Sequence, residues 1–168
     1  MRILSRFSCS LALVGAAAAL AGASPQPKVG ELAPPFELTL IDGSKVSSDQ
    51  LHGHVVVLNF WATWCGPCKQ ELPLLDAYYE AQKGHGLKVF AIATEDSLQP
   101  FQLKKLFAVM HMQSARRIKG PYAAMAGVPT NFIIDRAGRL RYAKANAFEL
   151  GELNALLVPL LQEPVPAG

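Results

Sequence analysis

The sequence predicts an α/β domain, in which helices cover a sheet whose central strands are buried on both faces. The run 54–61 is rich in β-branched and aromatic residues and shows almost no alternation of polar and apolar positions, which is typical of such a strand. A helical pattern begins directly after it at Cys65, and a second apolar run occupies residues 87–93. These observations favour a central strand, a covering helix and a parallel neighbouring strand.

The helix after the central strand is supported by its first residues and by one apolar face. Gly66 permits a turn, and Pro67 stands in the first helical turn, where a missing N–H is tolerated. The segment 84–86, Gly-His-Gly, is expected to end the helix. Its apolar face is formed by Leu72, Leu74, Leu75, Tyr78 and Tyr79.

A small hairpin is predicted ahead of the central strand. Residues 36–40 alternate between apolar and polar, as in a half-buried strand. The Asp-Gly pair at 42–43 is a strong turn signal, and residues 44–46 form the returning arm.

The second half of the chain adds two helices and another hairpin. A helix is expected over 97–109, an antiparallel hairpin over 129–143 and a last amphipathic helix over 150–160. The basic cluster at 116–119 is interpreted as a solvated surface, with partner binding as the alternative.

Length and the N-terminal pattern indicate one domain behind a targeting segment. The chain has 168 residues, of which 51% are hydrophobic, enough for one well-buried domain. Arg2 and Arg6 precede a short apolar run over 11–21, and small residues stand at Ala21 and Ala23. Residues 1–23 are therefore predicted to be a secretory signal peptide, and residues 24–168 the domain. An uncleaved membrane anchor is the alternative.

Cleavage would leave a nearly neutral domain with two cysteines. Cys9 lies in the predicted signal and would be removed with it, and the basic count would fall from 16 to 14 against 13 acidic residues. Such a domain lacks the basic surface of a nucleic-acid-binding protein. Outside the cytosol disulfides persist, so the remaining cysteines would face an oxidising compartment such as the periplasm.

Cys65 and Cys68 carry the predicted chemistry. A helix N-terminus presents unpaired N–H groups and the positive end of the helix dipole, and both favour a thiolate over a thiol. Cys65 is therefore the predicted nucleophile. Cys68 lies one turn further, close enough to form a disulfide with it and expected to be the more buried of the two. The pair is interpreted as a redox-active dithiol and disulfide.

Other interpretations of the cysteine pair stay open. An inert disulfide across so small a loop would stabilise the fold less than a long-range bridge. A copper carrier is the rival of a different class, although no methionine or histidine lies within the motif. Zinc would need two further ligands, and neither a second cysteine pair nor a typically spaced histidine pair is present. The histidines available are His52, His54, His85 and His111.

Two motifs give the chain a family resemblance. Residues 64–69, Trp-Cys-Gly-Pro-Cys-Lys, follow the buried strand, and residues 127–130, Gly-Val-Pro-Thr, lead into a later one. On these residues the chain resembles the thioredoxin superfamily. The opening 33–38, the turn at 42–43 and a long stretch over 94–129 are similar to exported TlpA/ResA-like thiol–disulfide oxidoreductases. The resemblance implies a thioredoxin fold with an N-terminal β-hairpin and an insertion between the central strand–helix unit and the cis-proline strand.

The resemblance also implies roles for residues outside the cysteine pair. Pro129 would be the cis-proline that faces the disulfide. Glu71 stands where TlpA/ResA-like proteins carry an acid, and Asn59 replaces the buried aspartate of thioredoxin, so Glu71 is the expected proton carrier for Cys68. Peroxiredoxins instead carry proline and threonine at positions that are Leu58 and Ala62 here. The implied client-binding residues are Trp64, Gly66, Pro67, Val128 and Thr130.

The implied activity is reduction of disulfides in client proteins, without a cofactor or a metal, by a monomer that receives electrons from a membrane donor. Oxidation of clients stays open, because direction depends on the relative stability of the two redox forms. Client identity is open as well. Family members dedicated to cytochrome c biogenesis often carry an acidic residue between their cysteines, whereas Gly66 and Pro67 stand there in this chain.

Overall fold

The computed structural model describes residues 26–94 and 99–166. The predicted signal peptide, residues 1–23, lies outside these residues. Within them, no helix combines the length and the apolar character needed to cross a bilayer.

One seven-stranded sheet, covered by helices, organises the described part of the chain. Its spatial order is β2-β1-β5-β4-β3-β6-β7. The strands are β1 (Glu37–Leu40), β2 (Lys45–Ser47), β3 (Val55–Trp61), β4 (Leu87–Ala93), β5 (Gln113–Lys119), β6 (Thr130–Ile134) and β7 (Leu140–Lys144). The helices are α1 (Gly66–Gln82), α2 (Pro100–Phe107) and α3 (Leu150–Gln162).

Strand β3 is the central strand that the sequence predicts. All seven of its residues are buried, which explains its nearly continuous apolar character. It pairs parallel with β4 and antiparallel with β6. The mixed pairing arises because β6 and β7 form the predicted antiparallel hairpin, so the sheet is parallel only around β3, β4 and β5.

Alternate residues of β3 enter two separate apolar clusters, one on each face of the sheet. Val55, Val57 and Trp61 pack on the face that α1 and α3 cover. Val56 and Leu58 pack on the other face with the N-terminal strands. Because side chains alternate along a strand, a polar residue two positions from Val57 and Trp61 must point toward α1. That residue is Asn59.

The stretch between β4 and β6 contains a strand that the sequence does not predict, although its basic side chains lie on the predicted solvated surface. The basic cluster at 116–119 lies in β5, which pairs parallel with β4 and antiparallel with β1. Ala115 is buried, whereas Arg116, Arg117 and Lys119 are exposed. A strand with so few apolar side chains gives little periodic signal, and its neighbours on both sides hold it in place. The preceding helix, predicted over 97–109, is shorter in the structure and begins after Gln99.

The segment before β1 attaches to the sheet at the start of β3, opposite to the end that leads into α1. Gly30 N–H donates to the carbonyl of Leu140 at 2.7 Å, and Ala33 N–H donates to that of Gly138 at 2.8 Å. Leu140 of β7 lies opposite Ile134 of β6, and Ile134 lies opposite Val56 of β3. These hydrogen bonds therefore place residues 30–33 at one pole of the domain.

Candidate active site

The two cysteines lie where β3 passes into α1. Cys65 is the N-cap of α1, and its sulfur accepts a hydrogen bond from the backbone N–H of Cys68 at 3.1 Å. The two sulfurs are joined in a disulfide, with the Cα atoms 5.3 Å apart. The predicted helix N-terminus thus places Cys65 beside unpaired backbone donors, which favour a thiolate after reduction.

Burial separates the two cysteines less than the sequence suggests. Cys68 is fully buried and Cys65 is 3% exposed, so the predicted order holds by a small margin. The residues around Cys65 are open, because Gly66 and Pro67 are exposed and Trp64 is 62% exposed. Three exposed residues therefore flank the buried Cys65 in the chain.

The loop before β6 covers the sulfur of Cys65 from the other side. The Val128–Pro129 peptide bond is cis, the geometry that the resemblance implies. The carbonyl oxygen of Val128 lies 3.5 Å from the sulfur of Cys65. Val128 is half-buried, and its backbone carbonyl lies beside the disulfide.

Thr130 occupies a different place from the one that the resemblance implies. Its side chain is fully buried, and its hydroxyl donates to the carbonyl of Gly127 at 2.6 Å and accepts from the N–H of Met125 at 3.1 Å. Such a side chain has no surface to offer a client in this structure. Thr130 instead braces the loop that presents Val128.

Glu71 is buried inside the domain, one helical turn after Cys68. Its side chain is 1% exposed. One carboxylate oxygen, Oε1, accepts from the backbone N–H of Phe148 at 2.8 Å and from the amide of Asn131 at 2.7 Å. The other, Oε2, accepts from the amide of Asn59 at 2.8 Å. Glu71 is therefore held by Asn59 of β3, by Asn131 of β6 and by the backbone of the loop after β7.

The pKa of Glu71 is raised from its ordinary value because burial removes the carboxylate from water. The N–H of Phe148 and the amides of Asn131 and Asn59 act in the opposite direction, since each donates to the charged form. The carboxylate of Glu152 adds to the rise. A carboxyl group with a raised pKa beside a cysteine pair is suited to carry a proton.

Asn131, Asn146 and Phe148 are site residues that the sequence does not indicate. Asn131 lies directly opposite Asn59 in the pairing of β6 with β3, and its amide also donates to the carbonyl of Asn146 at 2.9 Å. An amide residue directly before the apolar run 132–134 is the one signal for Asn131. Asn146 and Phe148 act through backbone atoms, for which side-chain patterns give no signal.

Most of the chain, including most of this site, matches a known protein family. Residues 29–143 match the AhpC/TSA family. The chain belongs to the AhpC/TSA family. The match spans the cysteine pair, Glu71 and the cis-proline loop.

Curated relatives narrow this AhpC/TSA assignment. The chain is 32% identical over 120 residues to the thiol-disulfide oxidoreductase ResA of Bacillus cereus, covering 67% of each chain. It is 33% identical over 139 residues to ResA of Oceanobacillus iheyensis, covering 77% of this chain and 71% of that protein. The sequence predicts that this chain belongs to the thioredoxin superfamily and, within it, to the ResA-like thiol–disulfide oxidoreductases, and these relatives confirm that prediction. As a member of this family the chain is an enzyme of redox function.

A solved structure shares the fold of this chain. A thioredoxin-family thiol:disulfide interchange protein from Chlorobium tepidum superimposes with a TM-score of 0.67 at 24% identity. The likeness covers 84% of this chain and 99% of that one. The predicted thioredoxin fold is confirmed.

Proposed function

We propose that this protein is an exported thiol–disulfide oxidoreductase that reduces disulfides in client proteins by exchange through Cys65 and Cys68. The observation that supports it most is the arrangement around the pair. Cys65 caps a helix beside the carbonyl of Val128, with exposed residues around it, while a buried carboxyl group lies one turn beyond Cys68.

The exchange proceeds in two attacks that move two electrons from the enzyme to the client. The thiolate of Cys65 attacks one sulfur of the client disulfide, forming a mixed disulfide and releasing the other client sulfur as a thiolate. The thiolate of Cys68 then attacks the sulfur of Cys65. This step releases the reduced client and leaves the Cys65–Cys68 disulfide. A dithiol donor, expected at the membrane, returns the pair to its reduced form.

Glu71 accepts the proton of Cys68 before the second attack. Cys68 is fully buried, so its thiol cannot lose a proton directly to bulk water, and Glu71 follows it on the same helix. The raised pKa of Glu71 brings its proton affinity closer to that of a thiol. Asn59, which replaces the aspartate of thioredoxin, is a neutral amide and cannot take this role.

Client contact involves the exposed surface around Cys65. Trp64, Gly66 and Pro67 form one side of the approach, and the backbone of Val128 beside cis-Pro129 forms the other. A client strand passing between them would bring its disulfide to Cys65. The identity of the clients stays open between apocytochromes, copper-site assembly proteins and a broad pool.

Trapping of mixed disulfides tests the exchange. Cys68→Ser leaves the attacking thiol but removes the resolving one, so mixed disulfides should accumulate and survive non-reducing electrophoresis, and mass spectrometry would name the clients. Cys65→Ser is the matched control and should trap almost nothing. Equal trapping by both variants would overturn the assignment of roles. No trapping by either variant, with tight copper binding by the wild type, would favour the carrier.

Direction and export have their own measurements. A reduction potential near that of thioredoxin, about −270 mV, supports a reductase, whereas one near that of DsbA, about −120 mV, supports an oxidase. Export through residues 1–23 predicts an intact mass that begins at Ser24 when the protein is made in an exporting host. Full-length chain in the membrane fraction would instead show an anchor.

A further inference from the structure

We propose that Asn131 is a positioning residue for Glu71: its amide, oriented by the backbone carbonyl of Asn146, keeps hydrogen-bond donors facing both oxygens of the Glu71 carboxylate. The inference rests on the proposed function of Glu71 as the proton carrier. It assigns a purpose to a buried polar residue near the start of β6.

The orientation of the Asn131 amide follows from a backbone atom. A carbonyl oxygen only accepts hydrogen bonds, so the end of Asn131 that lies 2.9 Å from the carbonyl of Asn146 must be its NH₂ group. The same NH₂ group lies 2.7 Å from Oε1 of Glu71. The amide oxygen of Asn131 must therefore point the other way, toward Asn59.

The orientation of Asn59 follows in turn. Its NH₂ group lies 2.8 Å from the amide oxygen of Asn131 and 2.8 Å from Oε2 of Glu71. The reversed amide would place an oxygen against both of these oxygens, replacing two hydrogen bonds by two repulsive contacts. Asn59 keeps its orientation although its own Oδ1 is buried without a hydrogen-bond partner among the described residues.

This chain of constraints gives the Glu71 carboxylate three N–H donors. Two of them depend on Asn131, one directly and one through Asn59, while the third is the backbone N–H of Phe148. A proton placed on Oε2 would face the N–H group of Asn59 and find no acceptor there. The arrangement therefore favours the ionised form and limits how far burial raises the pKa of Glu71.

Other ionisable groups lie around the same carboxyl. Glu152 of α3 disfavours the charge on Glu71, and Tyr142 of β7 donates a hydrogen bond to Glu152 at 3.0 Å. Earlier in the chain, Cys68 lies in the first turn of α1 and Cys65 is its N-cap. The groups that reach Glu71 from β3, β6 and the loop after β7 are the neutral Asn59, Asn131 and Phe148. The amides thus act against two unfavourable influences, burial and Glu152.

Loss of the Asn131 amide should raise the pKa of Glu71. Thr fits a buried strand position, but its hydroxyl has one proton and cannot serve both Glu71 and Asn146. In Asn131→Thr the amide of Asn59 is also free to turn and present its oxygen to a protonated Glu71. Both changes favour the protonated carboxyl, so the shifts have the same sign.

Carbon-13 NMR of the Glu71 side-chain carboxyl in the oxidised protein measures this directly. We expect the titration midpoint to move to higher pH in Asn131→Thr. Asn154→Thr is the matched control, because Asn154 is an exposed residue of α3 that bonds Tyr78, and it should leave the midpoint unchanged. An unchanged midpoint in a folded Asn131→Thr protein would overturn the proposal.

Wild-type protein provides a test that needs no folded variant. The side-chain amide protons of Asn131 and Asn59 should shift with pH at the same midpoint as the Glu71 carboxyl. Amide signals that do not follow Glu71 would refute the arrangement even if Asn131→Thr does not fold.

Exchange kinetics separate this inference from the function on which it rests. The pH profile of exchange should move in Asn131→Thr but not when Asn131→Thr is added to Glu71→Gln. A further change in the Glu71→Gln background would show that Asn131 acts by another route, against the proposal. If Glu71→Gln alone leaves exchange unchanged while the NMR midpoint still moves, the proton-carrier role fails and the positioning by Asn131 stands.

Discussion

The hydroxyl of Thr130 donates a hydrogen bond of 2.6 Å to the carbonyl oxygen of Gly127, and the two residues enclose the cis Val128–Pro129 bond. The same hydroxyl oxygen accepts from the N–H of Met125. The buried hydroxyl of Thr130 thus joins Met125 and Gly127 to the start of β6, and the loop between them lies against the sulfur of Cys65. The position of Val128 beside the disulfide depends on this tie.

Thr130→Val should destabilise the protein by about 1–3 kcal/mol, because it removes the two hydrogen bonds of the buried hydroxyl, each contributing about 0.5–1.5 kcal/mol. Thr130→Ser keeps the hydroxyl and removes one methyl group, which costs about 0.8 kcal/mol. Urea denaturation measures both free energies of unfolding. If the Ser variant loses as much as the Val variant, the hydrogen bonds do not hold this loop.

Stability should depend on pH through Glu71. Burial raises its pKa in the folded state above the ordinary value of 4.5, so the folded protein holds this proton more tightly than the unfolded chain does. The associated stability is fully present below the unfolded pKa and is lost as pH rises through the folded pKa. Glu71→Gln cannot titrate. The free energy of unfolding of the wild type, relative to that variant, should therefore fall as pH rises above 4.5, and a difference that is constant with pH would contradict the raised pKa.

Arg136 should be important for stability although it lies far from the cysteines. Its buried guanidinium donates to the carbonyls of Gly53 and His85 at 2.7 Å and of Leu161 at 2.9 Å. Arg136→Met leaves three carbonyls without this donor and should cost about 3–5 kcal/mol. Arg139→Met, at an exposed neighbour, should change stability by about 0.5 kcal/mol or less. Thermal and urea unfolding compare the two, and a small loss for Arg136→Met would show that water replaces the guanidinium.

Trp64 should affect client reduction without affecting the fold. Its side chain is 62% exposed, so Trp64→Ala is expected to change stability by about 0.5 kcal/mol or less. Exchange with a protein disulfide should slow, whereas exchange with a small disulfide, which needs only Cys65, should keep its rate. Val109→Ala, at an 80% exposed apolar residue, should alter neither rate. Equal slowing with both substrates would place Trp64 in the chemistry and not in client contact.

The sequence predicted the elements whose side-chain patterns are strong. The buried run of β3, the helix that begins at the cysteines and the hairpin of β6 and β7 all have clear periodicity, and the structure contains each of them. Strand β5 was missed because Arg116, Arg117 and Lys119 resemble a solvated surface. Its place is set by backbone pairing with β1 and β4, which no local pattern records.

The site residues also differ in whether a local sequence pattern indicates them. The cysteine pair and the cis-proline loop have short motifs that the sequence displays. The cage around Glu71 joins residues from β3, β6 and the loop after β7, and the N–H of Phe148 contributes irrespective of its side chain. Its donors become visible only when distant backbone segments meet. The small difference in burial between Cys65 and Cys68 also arises from tertiary contact, with Val128 covering the former.

The attachment of residues 30–33 to Gly138 and Leu140 fixes where the chain enters the domain relative to the cysteines. These residues lie at the start of β3, and the cysteines follow its other end, about 20 Å away along a seven-residue strand. Anything joined to the chain ahead of residue 30 therefore holds the domain at the end that lies away from the cysteines. The Cys65–Cys68 disulfide lies at the end of the domain away from such a tether.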